Sequence, residues 1–378
     1  MTALALVSTD DHDVSVNTEA AKIVMADHLD SLSVVTSYAH ALGNTVINPV
    51  STPPEPWFGP LNENLQEAKK HALVWISDLA PKIGSEIPQT IINYNNIFMA
   101  ASDEILGIIG TKSTLTNDEK KQVIELIEAV LEVLNGQKQK VDDIKGKLVT
   151  LSTQFTSDHD KLVNGKDSAA KAVQLAEAEK LAIENKIAEL QTELADARAK
   201  VTVSGIGLGA SIFLAVAAFA LAVATGGAGA LIVAGAVGVI GVGTAATFTG
   251  IFTAQISRLL EEISEKQRAL EDKKKQVTAL KGLEQTMKSL QTNNEAAKVA
   301  LTNISTMWST LNGKLESVLT DLKAAQGDAI GVALRRMNLN AARKNWTDTA
   351  DWAQKIQDLA SGTKVQGVLQ HQSLVSAF

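Results

Sequence analysis

From Val201 to Ser257 the chain carries no Asp, Glu, Lys, Arg or His, although 20% of all its residues are charged. The segment VTVSGIGLGASIFLAVAAFALAVATGGAGALIVAGAVGVIGVGTAATFTGIFTAQIS is built mostly of Ala, Val, Ile, Leu, Phe and Gly, and Gly226, Gly227 and Gly229 divide it near its middle. Each half is about 22 residues, roughly 33 Å as an α-helix, which is enough to cross a bilayer's hydrocarbon core. An uncovered apolar surface of that size aggregates in water. The rest of the chain must therefore cover it or pass it to lipid.

Outside this run the hydrophobic spacing is helical, and no alternating β pattern stands out. A first helix follows Val24, His28, Leu32, Val35, Ala39, Leu42 and Val46. The connector NPVSTPPEPWFGP then holds five of the seven prolines, Pro49, Pro53, Pro54, Pro56 and Pro60. Fixed φ and missing N–H groups make it a stiff non-helical link. A second helix carries Leu61, Leu65, Ala68, Ala72, Trp75 and Leu79 and is expected to end near Pro81. A third runs from Ile87 through Tyr94 and Phe98 to Ile108 and closes at Gly110. Thr116 or Asn117 is the expected N-cap of the next, with acidic residues in its first turn.

Two longer patterns flank the apolar run. One passes through Val123, Ile127, Val130, Leu134, Gln137, Val141, Ile144, Leu148, Leu151, Phe155, His159 and Leu162. A kink is expected at Asn164-Gly165, after which it resumes from Ile183 to Val201. The other leaves at Ile256 and continues through Leu280, Met287, Leu290, Asn294, Ala297, Leu301, Ile304, Trp308, Leu311, Leu315, Val318 and Leu322. Steps alternating between three and four give the 3.5-residue period of a coiled-coil seam. One or two shorter helices follow, with Trp346, Trp352 and Ile356. The organisation is thus a helical tail of residues 1–200 and 256–378, with 201–255 as a hydrophobic head.

Several chemistries find no support. A net charge of −7 with scattered cations argues against nucleic acid as a partner. There is no cysteine, and the six histidines lack ligand spacing. Gly241-Val242-Gly243-Thr244-Ala245-Ala246 formally matches a dinucleotide fingerprint, with Glu261 about twenty residues on, but that acid sits in a heptad helix rather than on a strand. No catalytic residue, cofactor site or metal site is expected. The N-terminal twenty residues lack the basic and apolar regions of a signal peptide.

The apolar run has three readings: a permanent anchor, the core of a soluble protein, or a segment sheltered in water and released into a bilayer. Two fully apolar helices need cover on every face, and the flanking rods each offer one narrow seam. In the first half Ile206, Leu208, Ile212, Phe213, Leu214, Val216, Phe219, Leu221 and Val223 together favour insertion by roughly 3 to 5 kcal/mol. The second half contributes Leu231, Ile232, Val233, Val237, Val239, Ile240, Val242, Phe248, Ile251 and Phe252. Gly205 and Gly209 form a GxxxG pair, and small faces of this kind let membrane helices approach closely. Gly226, Gly227 and Gly229 are the expected turn.

In its layout the chain resembles the α-pore-forming toxins of the cytolysin A, haemolysin BL and non-haemolytic enterotoxin superfamily, most closely the B-type component of tripartite haemolysins. The resemblance lies in the long helix entering Val201–Ser257, the long return helix with Ile304-Ser-Thr-Met-Trp308, Leu311 and Leu315, and the helical closure. It implies an all-α, elongated bundle of about five long helices with a hydrophobic head hairpin. The head could be part β-tongue in the soluble form, with GALIVAGAVGVIGVG as a strand pair. It further implies a non-enzymatic, secreted pore-forming toxin component. Its partners would be a target-cell bilayer, further copies of itself and one or two homologous subunits. A single-component toxin and a permanently anchored coiled-coil scaffold or receptor-like protein are the alternatives.

Overall fold

The computed structural model describes residues 6–8, 10, 12–44, 54, 56–110, 112, 114–173, 185, 213–226, 229–241, 272–325, 330 and 334–362. Among these residues the chain forms long helices and one β-hairpin. Helix α1 spans Thr18–Asn44 and starts where Asn17 Oδ1 accepts the Ala20 N–H at 3.1 Å, a side-chain N-cap. Its buried stripe is Val24, His28, Leu32, Val35, Ala39 and Leu42, the set that helical spacing predicts.

Helix α2 (Phe58–Val74) does not stop at Pro81. A π-turn at Trp75–Leu79 joins it directly to α3 (Ala80–Ile109). In that turn the Ala80 N–H reaches back five residues to Trp75 O. Proline has no N–H to bond the carbonyl four residues earlier, and the wider turn relaxes the ladder where that bond would fall. Pro88 lies within α3 as well, buried. Helix α3 ends at Gly110, whose φ of 47° is the left-handed value that glycine adopts at helix C-termini.

Helix α4 (Asn117–Val173) begins with a capping box. Glu119 N–H donates to Thr116 Oγ1 at 3.2 Å, and Thr116 N–H donates to Glu119 Oε2 at 2.9 Å. The helix runs 57 residues, about 85 Å, with no break at Gly165. Leu61 packs so closely there that a Cβ on Gly165 would meet Leu61 Cδ1 at 2.6 Å. The glycine serves close approach of α2 rather than a kink.

The antiparallel hairpin of β1 (Phe213–Gly226) and β2 (Gly229–Gly241) follows. Helix α5 (Asp272–Ala324) is the long return, and α6 (Leu339–Gly362) the helical closure. With α2 and α3 counted together, α1, α2–α3, α4, α5 and α6 are the long helices among the described residues, in line with the about five that the resemblance implies.

The chain divides into two compact units. The first comprises Met1–Leu29, Pro81–Lys147 and Ala297–Ser361. Tyr94 stands edge-on to both Trp346 (4.6 Å between centroids) and Trp308 (5.3 Å), while those two indoles stack at 5.9 Å. Within this unit α4 and α5 run antiparallel. Asn312 donates to Asn135 at 2.6 Å, and Ser305 donates to Asp142 at 2.6 Å. The N-terminal segment doubles back on itself at an antiparallel Val7–Val16 bridge and straps the helices: Trp346 Nε1 donates to Val14 O at 3.0 Å, Lys314 Nζ donates to the carbonyls of Asp10 and Asp13, and His12 bonds Asp321 at 2.8 Å.

The second unit comprises Asp30–Ala80, Leu148–Ala296 and Gly362–Phe378 and contains the β-hairpin. Leu61, Leu65, Trp75, Leu79, Leu148, Leu151, Phe155 and Leu162 are buried in it. Trp75 Nε1 donates to Thr36 Oγ1 at 3.0 Å, which ties the π-turn to α1.

Candidate functional site

The apolar run is where function is expected, and its described part is the strand pair. Paired positions extend from Phe213↔Gly241 to Gly226↔Gly229. Of the two forms expected for the head, helical or part β, the described residues take the second: 213–226 and 229–241 pair as antiparallel strands. The strand assignment also differs in detail, because GALIVAGAVGVIG is β2 alone and its partner is FLAVAAFALAVATG. Two causes operate locally. Valine, isoleucine and phenylalanine favour extended backbone, and repeated glycine weakens a helix by about 1 kcal/mol per residue relative to alanine. The ladder also pairs the backbone polar groups of a segment with no side chain to do so.

Of the residues singled out for membrane contact, Phe213, Leu214, Val216, Phe219, Leu221 and Val223 lie in β1. Leu231, Ile232, Val233, Val237, Val239 and Ile240 lie in β2. Val223 faces Ile232 across the ladder, and Leu214 faces Ile240. Gly226 and Gly229 are the last pair before the chain reverses. Ile206, Leu208, Ile212, Gly227, Val242, Phe248, Ile251 and Phe252 lie outside the described residues. One irregularity interrupts the register: Ala217 pairs Val237 and Ala220 pairs Gly235, so Ala218 and Phe219 together lie opposite Ala236. This is a β-bulge.

Buried polar groups occur in the helices of the same unit. His71 Nδ1 lies 2.6 Å from Asp158 Oδ2, and Asp158 is 1% exposed. Burial pushes the Asp158 carboxyl up, against the opposing pull of His71. Lys161 Nζ bonds Glu67 at 3.0 Å, and that hydrogen bond holds Glu67 below the usual carboxylate range. The heptad reading assigned this seam position to His159, which is partly exposed and bonded to Asp160. The position belongs to Asp158. Between α4 and α5, Gln291 donates to Thr156 at 3.0 Å and Ser152 bonds Glu295. Asn294 beside them is fully buried, with neither amide atom partnered.

Among the described residues no group of three His, Cys, Asp or Glu side chains is placed to hold a metal ion. Nor is any described helix long and apolar enough to cross a membrane. The concentrated feature is the uncharged hairpin itself, carried between two long heptad helices.

That arrangement of rods and hairpin is the fold of the α-pore-forming toxins. It superposes on the HblL1 toxin component of Bacillus cereus with a TM-score of 0.68 at 18% identity, covering 92% of this chain and 98% of that one. Motility Associated Killing Factor B of Vibrio cholerae gives 0.70 at 15% identity, covering 91% and 93%. Soluble SmhB of the tripartite α-pore-forming toxin Smh of Serratia marcescens gives 0.65 at 16%, covering 93% and 96%. Residues 55–197 match the Bacillus haemolytic enterotoxin (HBL) family. The family match covers the second, third and fourth helices, and the structural likeness extends the same fold over nine-tenths of the chain. No curated protein matches it in sequence.

Proposed function

We propose that this chain is a non-enzymatic component of a multi-subunit pore-forming toxin. It travels through water with the hairpin covered, then inserts residues 201–255 into a target bilayer and assembles with further copies and one or two homologous subunits. The observation that carries this reading is the absence of any charged residue from Val201 to Ser257, in a chain whose flanking helices are charged throughout. Such a run is costly to expose and favourable to insert.

The component's role follows from the same composition. A pore-lining helix needs a polar face. Here only scattered hydroxyls such as Ser204, Ser211, Thr225, Thr244, Thr247 and Thr249 interrupt the apolar surface. That suits the B-type role, which anchors in lipid and recruits a partner with an amphipathic lining. Secretion without a recognisable signal peptide and action at a target-cell membrane complete the reading. The likeness to tripartite-toxin components supports partner subunits.

Dye-loaded liposomes test it, with the protein alone and then with the products of neighbouring genes. Leakage is expected in the full set and lost when Gly205–Thr249 is deleted, while the deleted protein remains helical and soluble. Leakage from the deleted protein at the undeleted rate would overturn the assignment.

A further inference from the structure

We propose that the cleft where α3 passes into α4 receives Arg335 and Arg336 of a second copy of this chain. The proposal rests on the assembly reading above and names the side chains that join one copy to the next.

Both features belong to the first unit. Arg343 on α6 meets Asp103 on α3 at 2.5 Å, and Lys120 on α4 donates to Ala325 O, just past α5, at 2.8 Å. The end of α3, the start of α4, the end of α5 and the start of α6 therefore share one end of the unit. Side-chain contacts join α3 to α6 and α4 to α5. The order round this end is α3, α4, α5, α6, so the α3–α4 turn and the α5–α6 turn lie on opposite edges.

The cleft at the first of these turns has a volume of about 660 Å³. Ile108 and Leu126 give it an apolar lining, beside Glu104, Glu125 and the bonded pair Lys112 and Glu119. With Lys112 taken up by Glu119, the carboxylates left to a partner are Glu104 and Glu125. Glu104 forms no ion pair among the described residues, and Glu125 reaches only the exposed Lys121, at 3.7 Å. Acids beside an apolar wall suit a guanidinium, which is planar and weakly hydrated: its face lies on carbon while its edge donates to carboxylates. A strongly hydrated ammonium gains nothing from that wall.

Arg335 and Arg336 are the complement. Both are exposed, and neither forms an ion pair among the described residues. Leu334 and Met337 on either side are buried, 2% and 1% exposed. Met337 N–H donates to Leu334 O and Asn338 N–H to Arg335 O, both at 3.2 Å, and Val14 N–H of the strap donates to Met337 O at 3.4 Å. Cations shown on a backbone already fixed in this way lose little further freedom on docking. Neither arginine lines the cleft of its own chain. Turn and cleft are different surfaces on opposite edges, so each copy offers its turn to one neighbour and its cleft to the other. Such a head-to-tail contact builds a ring when its rotation closes.

The four side chains are exposed, so reversing their charge leaves the core untouched. Glu104→Arg with Glu125→Arg, and separately Arg335→Glu with Arg336→Glu, should each lower cross-linked multimers of this chain by about tenfold or more. The assay uses phosphatidylcholine vesicles with the products of neighbouring genes present, and circular dichroism checks the helical content of each variant. A one-to-one mixture of the two double variants should bring multimers back to within about threefold of wild type, because every contact again joins opposite charges. The fourfold variant should do so alone. Wild-type yield in either double variant would overturn the proposal. A loss that neither the mixture nor the fourfold variant restores would also overturn it, and would give the cleft to a basic segment of a different subunit. A wild-type chain that forms no multimers at all would overturn the assembly reading together with it.

Discussion

His71 Nδ1 and Asp158 Oδ2 meet at 2.6 Å, joining α2 to α4 with the carboxylate 1% exposed. Desolvation is the largest influence on Asp158 and raises its carboxyl above the usual range. Taking away one partner of a buried pair leaves a charge that neither water nor protein satisfies. His71→Ala should therefore lower stability by about 3 kcal/mol at pH 8 in urea unfolding. The deficit should shrink towards pH 5. A carboxyl with a raised folded pKa takes up its proton in the folded state first, so its destabilising effect is full at high pH and fades as pH falls. Replacing both residues with leucine should return stability to within about 1 kcal/mol of wild type. A double variant as unstable as His71→Ala would mean the pair is not the origin of the cost.

Gly165 and Leu61 lie in close contact in the second unit, with Leu61 Cδ1 2.6 Å from any Cβ added at Gly165. In an exposed helix Gly→Ala would gain about 1 kcal/mol. Here the methyl group displaces a buried leucine, and overpacking of this kind costs about 1–3 kcal/mol. Gly165→Ala should thus be destabilising, whereas in the Leu61→Ala background the same change should be neutral or stabilising. A thermodynamic cycle on these variants measures the coupling. Stabilisation by Gly165→Ala in the wild-type background would rule out the close contact.

Much of this architecture is legible in the three-and-four spacing. Val123, Ile127, Leu134, Val141, Leu148 and Phe155 on α4, and Leu301, Ile304, Trp308, Leu311 and Leu315 on α5, are all buried as the heptads require. Spacing fails where one residue decides a local geometry. Pro81 reads as a terminator because its missing N–H is local information, while the π-turn that accommodates it depends on the packing of Trp75 and Leu79. Gly165 reads as a break because sequence does not reveal that Leu61 needs its space. The seam reads as passing through His159 rather than Asp158 because the partner of Asp158 lies 87 residues away, on another helix. The strap through Val14 has too few residues to show a period. The head was ambiguous for a stronger reason: a run of Ala, Val, Ile, Leu, Phe and Gly with no charge has no polar face to mark either a helical or a strand period.

His28 provides a pH test in the first unit. It is 1% exposed on α1, its Nε2 donates to Ile83 O at 3.2 Å, and burial pushes its pKa down to about 4. In the unfolded chain the ring titrates near its ordinary value of 6.5. Above that pH both states are neutral and the histidine contributes nothing to the pH dependence. As pH falls from 6.5 towards 4 the unfolded state gains the proton first, and stability declines by about 3 kcal/mol. His28→Gln keeps a donor for Ile83 O without a titrating group. It should flatten the unfolding free energy over this window, by urea titrations at successive pH values. An unchanged slope would assign the acid sensitivity elsewhere.

Val216 tests whether lipid contact is made by β1 itself. In the hairpin it pairs Gly238. Moving a central valine into a bilayer as a helix is favourable by about 0.3–0.6 kcal/mol, whereas aspartate at the same depth costs about 2.5–3.5 kcal/mol. Val216→Asp therefore changes insertion by about 3 kcal/mol, more than a hundredfold in the inserted population. Dye release should fall accordingly while far-ultraviolet circular dichroism keeps the wild-type helical signal. Val299→Asp is the matched control: that side chain is 52% exposed on α5, outside the uncharged run, and its replacement should leave release unchanged. Equal loss at both positions would mean that added negative charge, rather than insertion of β1, limits release. Equal retention at both would mean that β1 stays out of the bilayer.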